Sequence, residues 1–347
     1  VTALDLRPEG PATVTVPGRR RRWIGLVVAL LVLLGLLVLS VMIGSTAIAP
    51  SVVWEALVRP ADDIDQFAIR DYRLPRTVLG LVVGVALGVS GALIQALTRN
   101  PLADPGVLGV HAGASFAVTV AVGLLGIRDI QGYLWFAFAG ALIVTIMVLA
   151  LGSTRQGQSP VIMVLAGVCV SAVLGGAGSI LQLTNPDAFD QLRSWNAGSL
   201  VGRPLELVWP ILPFFAVALI LVLAVSGPLN AMALGDELAA AQGVRLTRAR
   251  VLTVVAITLL GGGATAIAGP IGFVGLMVPH VARWIAGADQ RWIFAYSLLL
   301  APSLLLTADV LGRVVLAPGE IPVGIVTAFV GAPVLIALVR RRRASGL

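Results

Sequence analysis

Ten apolar spans run through this chain, near residues 23–43, 77–97, 107–126, 133–152, 160–183, 204–225, 249–268, 270–286, 292–311 and 323–339. Each comes close to the roughly 20 apolar residues that a helix needs to cross a hydrocarbon core. Backbone inside lipid has to satisfy its own hydrogen bonds, so spans of this length dictate helices. Charge agrees, because Asp, Glu, Lys and Arg make up only 12% of the 347 residues, about half the usual soluble share of roughly 25%. The expected fold is all-α and polytopic: a ten-helix transmembrane domain over 23–343, preceded by a disordered basic tail over 1–22.

The net charge of +7 sits at the ends rather than in a nucleic-acid-binding patch: Arg19 to Arg22 precede the first span and Arg340 to Arg343 follow the last. Arginine-rich flanks mark the cytoplasmic side. Both termini are therefore expected inside, which an even number of crossings allows, and the loops then placed inside carry most of the arginine. The first span lacks a small-residue cleavage site and is expected to stay as a membrane helix rather than leave as a signal peptide. Ala47 to Val58 reads as a short helix lying at the outer interface. A single Cys169 excludes a disulfide framework.

The residues exclude most chemistry. A chain without lysine cannot build the phosphate loop of a nucleotide-hydrolysing enzyme, and there is no His or Cys pair at metal-ligand spacing. Membrane-embedded charge usually marks ion coupling, but the one acid within a span, Asp309, has Arg313 one helical turn away, the spacing of a self-satisfying pair. Gly80, Gly84, Gly88 and Gly91 form a small-residue ridge in the second span, which lets helices approach closely in lipid. Residues 73–110 and 250–287 echo each other, each running from Arg through a Gly/Ala span into a proline-containing turn; opposite starting sides make this an inverted repeat. The largest inside loop, 226–250, holds a short helical segment at 234–244. Asp236 and Glu237 suit its N-terminal dipole, and Gly243 suits a left-handed stop.

Taken together, Arg73-Leu74-Pro75-Arg76, Ser90 to Gln95, Asn100 to Gly106, Leu165 to Val168, Trp195 with Gly198, Leu234 to Gly243, Ala268 to Arg283, Ala308-Asp309, Arg313, Glu320 to Gly324 and Gly331 to Pro333 resemble the permeases of iron–siderophore and cobalamin ABC importers, in order and over residues 23–343. The resemblance implies the type II importer permease fold with ten helices per subunit. It implies that Arg73, Arg76 and Arg313 dock a substrate-binding protein or lipoprotein on the outer face, that Asn100, Leu102 and Ser159 border the gate and pathway, and that Gly235, Asp236, Glu237, Ala239 and Gly243 belong to the helix that couples to the ATPase. Gln95, Pro101, Gly272, Gly275, Pro279 and His280 are further motif positions, with His280 expected in a structural hydrogen bond and no metal site.

The function so implied is that of a non-enzymatic permease subunit importing ferric siderophores across the cytoplasmic (inner) membrane of a bacterium. The same architecture importing cobalamin or haem is the alternative, and a proton-coupled secondary transporter is the alternative of a different class. The expected partners are ATP-binding subunits, the outer binding protein, a second permease subunit (identical or related) and the lipid bilayer. No cofactor is expected on this chain; ATP and Mg would sit on the ATPase.

Overall fold

A computed structural model describes residues 18–44, 48–59, 63–154, 157–158, 160–317 and 319–344. Its helices are α1 (Arg19–Met42), α2 (Pro50–Val58), α3 (Ile64–Phe67), α4 (Leu74–Thr98), α5 (Val110–Gly123), α6 (Ile130–Leu151), α7 (Pro160–Thr184), α8 (Pro186–Asn196), α9 (Val208–Met232), α10 (Asp236–Ala241), α11 (Leu246–Ala268), α12 (Val274–Ala286), α13 (Gln290–Val315) and α14 (Val323–Ala344). A π-helical turn, Ala68–Arg73, runs into α4, and a two-residue antiparallel pair, Ser153–Thr154 with Gly157–Gln158, precedes α7. The chain is an all-α membrane protein.

Every expected span falls on a helix. Seven helical segments are long and apolar enough to cross a membrane, whereas those at Val110–Gly123, Val274–Ala286 and Val323–Ile336 are shorter. Two boundaries depart from expectation. α1 already starts at Arg19, so the arginine run assigned to a disordered tail is helical. The loop expected over 226–250 is shorter, because α9 continues through Pro228 to Met232 and α11 takes over at Leu246. The interfacial helix begins at Pro50 rather than Ala47, with the proline in the first turn, where no amide donor is needed.

The segments that echo each other in sequence pack together at the centre. In the most apolar stretches of α4 and α11, 78% of residues are buried, against 22% in α1 and 17% in α7. The glycine ridge packs α4 against two helices: Gly80, Gly84 and Gly88 face Leu306, Pro302 and Ala301 of α13, and a Cβ on Gly91 would stand 2.0 Å from the Gly275 carbonyl oxygen of α12. Backbone lies against backbone there, and lipid offers no hydrophobic drive to compensate for a wider gap. α7 instead leaves an apolar face open, with Val173 71% and Leu183 84% exposed.

Candidate functional site

Two polar clusters stand at opposite ends of α4. At its N-terminal end, the π-turn and Pro75 bring Arg73 and Arg76 into the bundle, opposite Asp309 and Arg313 on α13. Arg76 donates from Nε to both oxygens of Asp309 at 2.9 Å, from Nη2 to Oδ1 at 2.7 Å and from Nη1 to Glu320 Oε2 at 2.6 Å. Arg313 donates from Nε to Asp309 Oδ2 at 3.1 Å, and its Nη1 reaches the Ser40 and Ile43 carbonyls at 2.8 and 3.0 Å. Arg73 Nη1 donates to the carbonyls of Met42 at 2.7 Å and Val41 at 3.2 Å. The two arginines from different helices thus collect the orphan carbonyls at the end of α1, groups a helix terminus cannot satisfy itself.

Arg73, Arg76 and Arg313, the positions that the resemblance assigns to docking of a binding protein, are only 8%, 7% and 2% exposed. Buried guanidinium groups have to be paired and hydrogen-bonded, and Asp309 does this for two of them. The expected Asp309–Arg313 pair is present, and Arg76 and Glu320 enlarge it. All three arginines line a cavity of about 240 Å³ together with Tyr72, Gly202 and Glu320, so some of their surface stays reachable from outside the bundle. Ser40 and Thr77, whose hydroxyls meet at 2.8 Å beneath the cluster, carry no motif that sequence alone could have singled out.

At the other end, α4 stops at Arg99, which takes the left-handed conformation with φ 52°. The following turn is built from side chains: Asn100 Oδ1 accepts the Leu102 amide at 3.0 Å and Asp104 Oδ1 accepts the Gly106 amide at 2.8 Å. Pro101 lies in this turn, and Leu102 is exposed. Ser159 lies outside the described residues. Asp236 on α10 accepts hydrogen bonds from both Arg99 and Arg250. The turn after α4 and the start of α10 are therefore tied by an ion pair between residues far apart in sequence.

α10 is a single short helix, Asp236–Ala241. Gly235 precedes it at φ 119° and Gly243 follows at φ 83°. The Gly243 amide returns to the Ala240 carbonyl at 2.9 Å and the Val244 amide to Ala239 at 3.0 Å, the paired bonds of a Schellman stop. Ala239 is fully buried against the bundle, while Leu234 and Leu238 are 65% and 56% exposed beside Glu237. One small residue anchors the helix and two leucines point away from the chain.

Between the two ends lies a seam of motif residues. Gln95 Nε2 donates to the carbonyls of Gly275 at 3.2 Å and Leu276 at 3.1 Å, and its Oε1 accepts from Arg283. Gly272 belongs to the bend that separates α11 from α12, and Pro279 is buried inside α12. His280 packs edge-on against Trp284 with ring centroids 4.8 Å apart. The bend is held from outside by the loop after Trp195: the Ser199 amide donates to Ala268 O at 2.8 Å and the Gly324 amide to Gly198 O at 2.9 Å, so this loop also fixes the start of α14.

Comparison with known proteins follows the same boundaries. The sequence matches the FecCD transport family over residues 30–341. The chain belongs to the FecCD transport family. Among curated FecCD-type relatives, it is 50% identical over 318 residues to the ferric enterobactin transport system permease protein FepD of Escherichia coli (strain K12), covering 91% of this chain and 95% of that one. It is 36% identical over 321 residues to the probable siderophore transport system permease protein YfiZ of Bacillus subtilis (strain 168), covering 92% and 96%. Among solved structures, a metal-chelate type ABC transporter in an inward-facing conformation superposes with a TM-score of 0.79 at 28% identity, covering 92% of this chain and 99% of that one.

Proposed function

We propose that this chain is the permease subunit of an ATP-driven importer that carries ferric siderophores across the cytoplasmic membrane. The observation that carries this reading is the 50% identity to a ferric enterobactin permease over nearly the whole of both chains. Separate ATP-binding subunits would hold ATP and Mg, since a chain without lysine has no phosphate loop of its own. A second permease subunit would cover the exposed face of α7, with the pathway between the two copies lined in part by α4, α7 and α14. Ten crossings with both termini in the cytoplasm fit the distribution of arginine.

In this reading the cavity around Arg73, Arg76 and Arg313 receives acidic side chains of the binding protein, and α10 seats its exposed leucines in the ATPase. Movement of α10 would reach the turn at Asn100 and Leu102 through the Asp236–Arg99 ion pair. Affinity for cargo would reside in the binding protein, and the pathway would only have to let a bulky chelate pass. The test is uptake by the reconstituted complex with labelled ferric enterobactin, a ferric hydroxamate, haem and cobalamin in competition. ATP-dependent, vanadate-sensitive accumulation of a ferric chelate is expected. Accumulation of cobalamin or haem alone would replace the proposed cargo, and vanadate-insensitive uptake without an ATPase would overturn the importer class.

A further inference from the structure

Between α9 and α13 the bundle leaves a groove of about 480 Å³ whose walls include Val89, Leu219, Val222, Phe294 and Leu298. Its lining is apolar except at one end, where Arg291 and Ser226 stand. That end is closed behind them: Asn230 Nδ2 donates to Asp289 Oδ1 at 2.8 Å and its Oδ1 accepts the Gln290 amide at 2.8 Å, stitching the two helices together. The Arg291 guanidinium lies over α9, with Nη2 3.8 Å from where a Gly227 Cβ would be. The Arg291 side chain is exposed and forms no ion pair among the described residues, the neighbouring Asp289 carboxylate being engaged by Asn230 and the Arg291 amide.

We propose that this groove binds one anionic phospholipid, with its phosphate on Arg291 and an acyl chain along α9 and α13. Three observations point to lipid rather than to a cargo or a peptide. Leu223, one of the groove residues, is 77% exposed and Ile220 is 65% exposed, so the groove opens onto an apolar helix face of the kind that meets hydrocarbon. The cationic group stands at the end of the span where α9 gives way to α10, the depth of a headgroup rather than of the bilayer centre. Shape and charge also match: a basic group capping an apolar slot between membrane helices suits an anionic headgroup with its tail, and the volume lies within the range of ligand-binding cavities. The site uses no residue of either polar cluster on α4, and it rests only on α9 and α13 crossing the bilayer.

The assembled transporter, equilibrated in mixed micelles of phosphatidylglycerol and phosphatidylcholine and then stripped of loose lipid, provides the test by native mass spectrometry. Several-fold enrichment of phosphatidylglycerol is expected. Arg291→Gln should abolish the enrichment, Arg291→Lys should keep most of it, and Ala295→Phe should lower retention of both lipids by filling the groove. Inorganic phosphate at millimolar concentration should leave retention unchanged, because the tail contributes to binding. Equal retention of the two lipids by the unsubstituted chain, unchanged enrichment in Arg291→Gln, or full displacement by phosphate would each overturn the proposal.

Discussion

The Arg76 guanidinium and the Asp309 carboxylate meet at 2.7 Å, with Arg76 9% and Asp309 1% exposed in their side chains. Asp309 holds Arg313 in the same way from one turn along α13. Removing the shared acid would strand two buried cations at once, and breaking one side of a buried pair typically costs about 3–5 kcal/mol. Asp309→Ala is therefore expected to lose the folded protein from detergent extracts at moderate temperature. A thermal-shift series on the purified chain checks this, and an unchanged melting temperature would refute the clamp.

The same relationship changes how the arginines can be tested. Reversing Arg76 to Glu would both remove a proposed docking group and bring a third acid beside Asp309 and Glu320, so weaker docking could follow from damage to the fold. Arg73 has a milder role, donating to two backbone carbonyls of α1. Arg73→Gln keeps a donor there while removing the charge. It is expected to weaken binding-protein affinity by several-fold with little change in melting temperature, as measured by titration against reconstituted transporter. Equal affinity of the two proteins would remove Arg73 from the docking surface.

The positions of the membrane helices were legible because long apolar runs in lipid dictate helices, and the span boundary at Gly269 and Pro270 does separate α11 from α12. The Schellman stop at Gly243 was legible too, since a local backbone requirement selects glycine. What could not be read was which polar groups meet across the fold. Arg76 and Asp309 are far apart in sequence, as are Arg99 and Asp236, and nothing local distinguishes a buried pair from an exposed docking residue. Arg73 ends a π-turn and Arg76 lies in the first turn of α4, and no residue pattern announces that π-turn.

The close approach of α4 and α12 yields a steric prediction. At Gly91 the obstructing atoms are the Cα, C and O of Gly275, none of which can rotate away. Overpacking of a well-packed interior costs roughly 1–3 kcal/mol even when side chains can give. Gly91→Val is expected to reach or exceed that range and to displace the Gln95 bonds to Gly275 and Leu276. Lower yield of monodisperse protein with a reduced melting temperature is the expected readout, and a Gly91→Val transporter with full stability and uptake would argue against this packing.

The ion pair between Arg99 and Asp236 separates stability from coupling. Both side chains are more than a third exposed, so solvent screening leaves the pair roughly 0–1 kcal/mol of stability. Arg99→Ala should accordingly melt like the parent. If the pair relays motion, the same variant should hydrolyse ATP normally while importing several-fold less chelate per ATP. Asp236→Asn also takes the acid from Arg250 and should uncouple at least as strongly, and adding Arg99→Ala to it should make uptake per ATP no worse, because residues in one network are not additive. Normal stoichiometry in Arg99→Ala would show that the turn moves without this link.

Gly243 gives the sharpest test of α10. A Cβ placed there meets nothing within 4 Å, so space is not what demands glycine. Its φ of 83° is what does, because β-branched side chains are strained in that region. Gly243→Asn, a residue that tolerates the left-handed form, should keep the stop and the coupling. Gly243→Val should push the backbone out of it, lose the bonds from the Gly243 and Val244 amides, and tilt the exposed Leu238 away from its seat. The expected outcome is preserved ATPase activity with uptake reduced several-fold for Val and near normal for Asn. Equal uptake by the two variants would show that the backbone geometry at this stop does not matter for coupling.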